Sequence, residues 1–133
     1  MGGKGNTMTN ILLVGAGGFI GSVLRYLVGG YFQGFAKSFP LGTLAVNVIG
    51  CFVIGLLAQL GESRNLFSNE IRAFIFVGIL GGFTTFSAFG NETINLMREN
   101  QMTNVFLNIS ANVILGLLAV WLGRITANLI TVH

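Results

Sequence analysis

Aspartate is absent from this chain, and proline, cysteine, histidine and tryptophan each occur once. A single cysteine, Cys51, excludes an intrachain disulfide, and its apolar surroundings give it the simple reading of a small packing residue. With one histidine and no aspartate there is no metal-ligand cluster of His, Cys and Asp, and no phosphate loop supplies an energy-coupling motif. Charge is the scarcest commodity. Charged residues make up 8% of the 133, whereas soluble domains carry roughly a quarter. With 53% hydrophobic residues, that scarcity excludes a soluble domain and puts the chain in a lipid bilayer. A net charge of +3, spread along the sequence, argues against a nucleic-acid partner.

What is present is long apolar stretches. Residues 1–8 read as a disordered polar tail, after which Thr9 or Asn10 caps a first helix that runs to Tyr31 or Phe32. Gln33 to Pro40 reads as a loop, and a second span covers Leu41 to Leu60. Gly61 to Ser68 is the next loop, a third span runs from about Ile71 to Met97, and Arg98 to Gln101 forms a short turn. Thr103 to about Val132 supplies a fourth span, and each is long enough to cross a bilayer, for which about twenty apolar residues suffice. The expected fold is thus an all-α membrane protein: one domain over 1–133, four transmembrane helices, both termini on the same side.

Ile11 to Ser22 imitates the opening of a dinucleotide-binding domain, a strand followed by a glycine turn. That fold usually needs an acidic residue about twenty positions on, and no acid precedes Glu62. The glycines have a simpler use. Gly17 with Gly21, and Gly78 with Gly82, are small-xxx-small pairs that let membrane helices approach closely.

The third span is unusual at its centre. Gly78-Ile79-Leu80-Gly81-Gly82-Phe83-Thr84-Thr85-Phe86-Ser87-Ala88-Phe89-Gly90-Asn91-Glu92 is poor material for an uninterrupted helix in lipid. A helix broken there is expected, since irregular backbone at membrane depth is tolerated where protein or a watery cavity satisfies its polar groups. Polar stripes run beside it. Thr43, Asn47 and Cys51 share a face of the second span; Thr84, Ser87, Asn91 and Asn95 follow steps of three and four; Asn104, Asn108 and Asn112 form a ladder that Gly116 continues. Such residues are costly in a bilayer and face a partner helix or a cavity. They are amides and hydroxyls, so they serve either as interhelical glue or as donors to an anion. Phe83, Phe86 and Phe89 are spaced to share a broad helical face, and ring edges carry positive potential that favours a small bare anion.

Together, Gly81 to Phe89 followed by Glu92, the Gly-rich first span ending in Leu24-Arg25-Tyr26, and Pro40-Leu41-Gly42-Thr43-Leu44-Ala45-Val46-Asn47 resemble the Fluc (CrcB) family of small fluoride channels along nearly the whole chain. The resemblance implies an antiparallel, dual-topology homodimer with two fluoride pores in a cell inner membrane. It implies that Phe86 and Phe89 meet fluoride with their ring edges, that Asn47 is the pore asparagine, and that Thr85, Ser87 and Glu92 are polar residues beside the pathway. It places Arg25 near the vestibule and gives the main-chain carbonyls of Gly81 and Thr84 a structural sodium ion at the dimer centre. This chain departs from the family where Asn108, Asn112 and Gly116 replace the usual Tyr or His and Ser of the fourth span, and where Ala88 replaces a hydroxyl residue.

Charge agrees with dual topology on its own terms. Lys4, Arg64, Arg72 and Arg124 fall on the side of the termini and Arg25, Lys37 and Arg98 on the other, almost no bias for the positive-inside rule to act on. The rival reading is a small proton-coupled multidrug exporter. Such a protein needs a central carboxylate, usually in its first span, whereas Glu92 lies in the third.

Overall fold

In a computed structural model, which describes residues 4–132, the chain is all helix, turn and loop, with no strand among the described residues. α1 is Lys4–Gln33, α2 is Leu41–Arg64, and α3 (Asn69–Arg72) runs on through a π-helical stretch, Ala73–Leu80, into the single turn α4 (Gly81–Phe83). Then come α5 (Phe86–Arg98), α6 (Met102–Ser110), a second π-helical stretch at Ala111–Leu115, and α7 (Gly116–Thr131). Grouped by continuity these make four helices long and apolar enough to cross a membrane: Asn6–Gln33, Leu41–Arg64, Asn69–Arg98 and Met102–Thr131. The protein is a multi-pass membrane protein. Its outward face agrees, since Phe19, Tyr26 and Leu117 are exposed apolar side chains that water would penalise.

The helix ends follow from local chemistry. Asn65 takes the left-handed conformation at φ 49° and closes α2, so the expected loop from Gly61 is helical as far as Arg64. Ser68 caps α3 by accepting from the Ile71 N–H at 3.3 Å. Asn100, at φ 59°, turns the chain between the third and fourth spans. Gln33 organises the loop before α2: its Nε2 donates to the Ala36 and Phe39 carbonyls, and its Oε1 accepts from the Gly42 N–H. The start of α1 differs from the expected tail. The helix begins at Lys4 rather than at a cap on Thr9 or Asn10, because no proline interrupts the turns before Ile11; residues 1–3 lie outside the described residues.

Two glycine seams set the packing. α1 lies against Ala73–Leu80 with backbones almost touching: a Cβ on Gly78 would stand 2.9 Å from the Gly17 Cα, and one on Gly82 would stand 2.8 Å from the Gly18 carbonyl oxygen. Both small-xxx-small pairs thus face each other across one interface, where dispersion and close approach replace the hydrophobic effect that lipid does not supply. α2 lies against α7 in the same way, Gly123 meeting the backbone of Phe52 and Gly55 that of Val120. At the far end of that seam Arg124 donates to Gln59 at 2.8 Å and pairs with Glu62 at 3.2 Å.

Candidate functional site

Between α4 and α5 stand two extended residues, Thr84 (φ −87°, ψ 158°) and Thr85 (φ −152°, ψ 117°). Extended backbone here strands the polar groups that a helix would pair. One side chain takes them up. Asn47, on α2, accepts from the Thr85 N–H through Oδ1 at 2.8 Å and donates to the Thr85 carbonyl through Nδ2 at 3.1 Å. The Thr85 hydroxyl then caps α5, accepting from the Ala88 N–H at 3.2 Å, and lies 3.4 Å from the Ser87 hydroxyl.

Opposite helix ends meet at this point. The first turn of α5 directs its N–H groups and a partial positive charge towards residues 84–85, while α4 ends there with carbonyls and a partial negative charge. The Gly81 carbonyl would ordinarily receive the Thr85 N–H, which goes to Asn47, and the Thr84 carbonyl would receive the Ala88 N–H, which goes to the Thr85 hydroxyl. Both residues border an open groove of about 400 Å³. Two main-chain oxygens diverted from their helical donors are hard ligands that fit an alkali cation.

The same groove is bordered by Asn47, Thr85, Phe86, Phe89 and Asn112. The Phe86 and Phe89 rings lie 5.5 Å apart at 48°, and Phe86 is 82% exposed. Both π-helical stretches reach this wall, through Phe76 and Leu80 on one side and Asn112 and Val113 on the other; π turns are rare and concentrate at functional sites. A second hollow, of about 320 Å³, opens beside Glu92 between Gln33, Pro40 and Asn95. Glu92 borders only this second hollow: its Oε1 accepts from the Thr43 hydroxyl at 2.7 Å, and its Oε2 is buried with no hydrogen-bond partner among the described residues.

Sequence spacing misplaces two residues, Phe83 and Asn104. Phe83 does not share a face with Phe86 and Phe89; it is 7% exposed, and the extended residues after it break the helical register. Asn104 leaves the ladder, its amide donating to Gln101 at 2.8 Å. Arg25 is half-buried on α1 and borders neither hollow. Asn108 and Asn112 do belong together, joined by Asn112 Nδ2 to both the carbonyl and the Oδ1 of Asn108. Thr93 was not signalled by any stripe, yet it is buried and accepts from Asn108 at 3.0 Å. A buried hydroxyl facing an asparagine ladder on the neighbouring helix is the only signal that could have found it.

Residues 12–124 match the family model described as CrcB-like protein, Camphor Resistance (CrcB). The chain belongs to the CrcB family. Curated CrcB-type relatives match over nearly all of their length. A protein of Methanosarcina acetivorans named fluoride-specific ion channel FluC 1 is 46% identical over 120 residues, 90% of this chain and 92% of that one. One of Methanosarcina barkeri, fluoride-specific ion channel FluC 3, is 44% identical over 120 residues, covering 90% and 91%. One of Shewanella sp. (strain W3-18-1), fluoride-specific ion channel FluC, is 48% identical over 118 residues, covering 88% and 94%.

Proposed function

We propose that this chain is a fluoride-selective passive ion channel, not an enzyme, working as an antiparallel homodimer with two pores in a cell inner membrane. The observation that carries the reading is the Phe86–Phe89 pair, 5.5 Å apart at the positive end of α5 and beside the Asn47 clamp. Positive ring edges and the partial positive charge of the α5 N-terminus favour a small anion and offer little to a cation. Thr85 and Ser87 hydroxyls stand next to the rings, and Thr43 and Glu92 continue the polar path towards the second hollow. Asn108 and Asn112 line or support the fourth-span wall, and Arg25 serves the vestibule.

The interruption at Thr84 and Thr85 is the working break of the third span, and the whole chain acts as one channel domain. The groove is open along one side and leaves Phe86 bare, which supports a second copy as the missing wall. Gly81 and Thr84 carbonyls, with their equivalents in that copy, would hold a structural sodium ion whose charge ties the two broken helices together. The role of the channel follows from acid chemistry. Hydrogen fluoride enters cells as a neutral weak acid, dissociates inside and is trapped, and a passive pore lets the anion leave down its gradient. A proton-coupled drug exporter is not favoured: Glu92 is bonded to Thr43 in the third span, and no carboxylate stands in the first.

Anion efflux from liposomes holding the purified protein, fluoride against chloride, tests this. Rapid fluoride efflux without chloride, abolished by Phe86→Ile, is expected. Equal movement of both anions, or of neither, would overturn it.

A further inference from the structure

Five hydrogen bonds in series join the backbone on either side of the two groove phenylalanines. The Thr85 N–H donates to Asn47 Oδ1 at 2.8 Å, and Asn47 Nδ2 donates to Asn112 Oδ1 at 3.1 Å. Asn112 Nδ2 donates to Asn108 Oδ1 at 3.0 Å, Asn108 Nδ2 donates to the Thr93 hydroxyl at 3.0 Å, and that hydroxyl donates to the Phe89 carbonyl at 2.7 Å. Each group accepts from behind and donates ahead, so the series has one direction and its members polarise one another. It leaves the third span just before Phe86, crosses the second and fourth spans, and returns to the third at Phe89.

The hydrogen count decides what the middle link does. A carboxamide has two N–H donors. Both of those on Asn112 are engaged by Asn108, its carbonyl at 2.8 Å and its Oδ1 at 3.0 Å, so none is left for an anion in the groove. Asn108 is 1% exposed and lies behind the groove wall rather than on it. Asn112 therefore borders the groove with its amide nitrogen committed to Asn108.

We infer that Asn112 is a positioning residue: it transmits the register of the fourth span through Asn47 to the Thr85 amide and so fixes where the helix carrying Phe86 and Phe89 begins. This rests on the fluoride-channel reading, of which it names a further determinant, and it assigns the asparagines of the fourth span to the scaffold instead of the anion path. An apolar isostere at 112 leaves one Asn47 N–H and the Asn108 Oδ1 without partners and cuts the series in the middle. Thr93→Val cuts it at the far end, away from both hollows.

The test uses the full-length protein in liposomes and compares wild type, Asn112→Leu, Thr93→Val and the double variant. Asn112→Leu is expected to slow fluoride efflux about tenfold, the scale of one lost hydrogen bond at an organised site. The double variant is expected to be no slower than Asn112→Leu alone, because both changes disable one device and so are non-additive. Hydrogen exchange of the protein in detergent should quicken in Asn112→Leu at residues 84–89 and not along α1 or α7. If Asn112→Leu does not fold, Asn112→Ser, whose hydroxyl is too short to bridge, carries the same expectations. Unchanged efflux, additive losses, or exchange quickened equally in all four spans overturns the inference while leaving the channel reading intact. A wild-type protein that passes no fluoride overturns both.

Discussion

Asn47 uses its oxygen and both amide hydrogens on three partners, Thr85 N–H, Thr85 carbonyl and Asn112. It substitutes for the helical bonds that the extended residues forgo. Asn47→Leu is therefore expected to strand two backbone groups at a cost of about 1–3 kcal/mol each, read as a lower thermal midpoint in detergent, and to abolish fluoride efflux. Thr43→Val removes one hydrogen bond from Glu92 Oε1 without changing shape; fluoride efflux should fall while the thermal midpoint stays near wild type, since the bond is only part-buried. Residue by residue, spacing set Asn47, the Phe86–Phe89 pair and Asn112 on stripes of separate spans, and these residues border one groove, though spacing gave no hint that Asn112 falls in a π-helical stretch. It failed for Phe83 because two dihedral pairs, those of Thr84 and Thr85, reset the helical phase, and periodicity cannot see a change of phase. It failed for Asn104 because a nearby Gln101 offered the amide a local partner.

At the scale of elements, the two glycine seams decide how closely spans approach, and the helix ends decide which charges meet in the groove. Gly78→Ala places a methyl 2.9 Å from the Gly17 Cα, where backbone cannot yield, so α1 must move away. A loss of about 1–3 kcal/mol is expected, whereas Gly15→Ala, with open space around it, should be neutral or stabilising; unfolding midpoints of the two variants check this. The carbonyl end of α4 makes a second expectation. Exchanging sodium for a bulky organic cation should lower the thermal midpoint, by an amount that grows with the logarithm of the fold reduction in sodium concentration, and leave Gly78→Ala and wild type separated as before. The seams were legible because small residues four apart have few other uses in a membrane helix. The π-helical stretches were not, since a single extra residue per turn leaves no compositional trace in Ala73–Leu80 or Ala111–Leu115.

For the molecule as a whole, the unpartnered groove and the charge distribution bear on the same question. On the channel reading proposed above, the wall absent on the open side of the groove would come from a second copy, and Phe86, bare on a single copy, marks that side. Two copies in one orientation are what a strong charge bias would dictate, yet four cations stand on one side and three on the other: Lys4, Arg64, Arg72 and Arg124 against Arg25, Lys37 and Arg98. Arg124 is moreover paired with Glu62, which leaves even less free charge at that end. A population inserted both ways is then the expected outcome, and every antiparallel pair draws one member from each half. Adding three lysines to the 34–39 loop should fix one orientation, read by a reporter fused after His133 that is active on only one side of the membrane. Adding three lysines before Asn6 should fix the other. Each biased variant alone is expected to lose fluoride efflux, and co-expression of the two to restore it. Full efflux from either variant alone would mean that parallel copies build the pore and that the groove is closed in some other way.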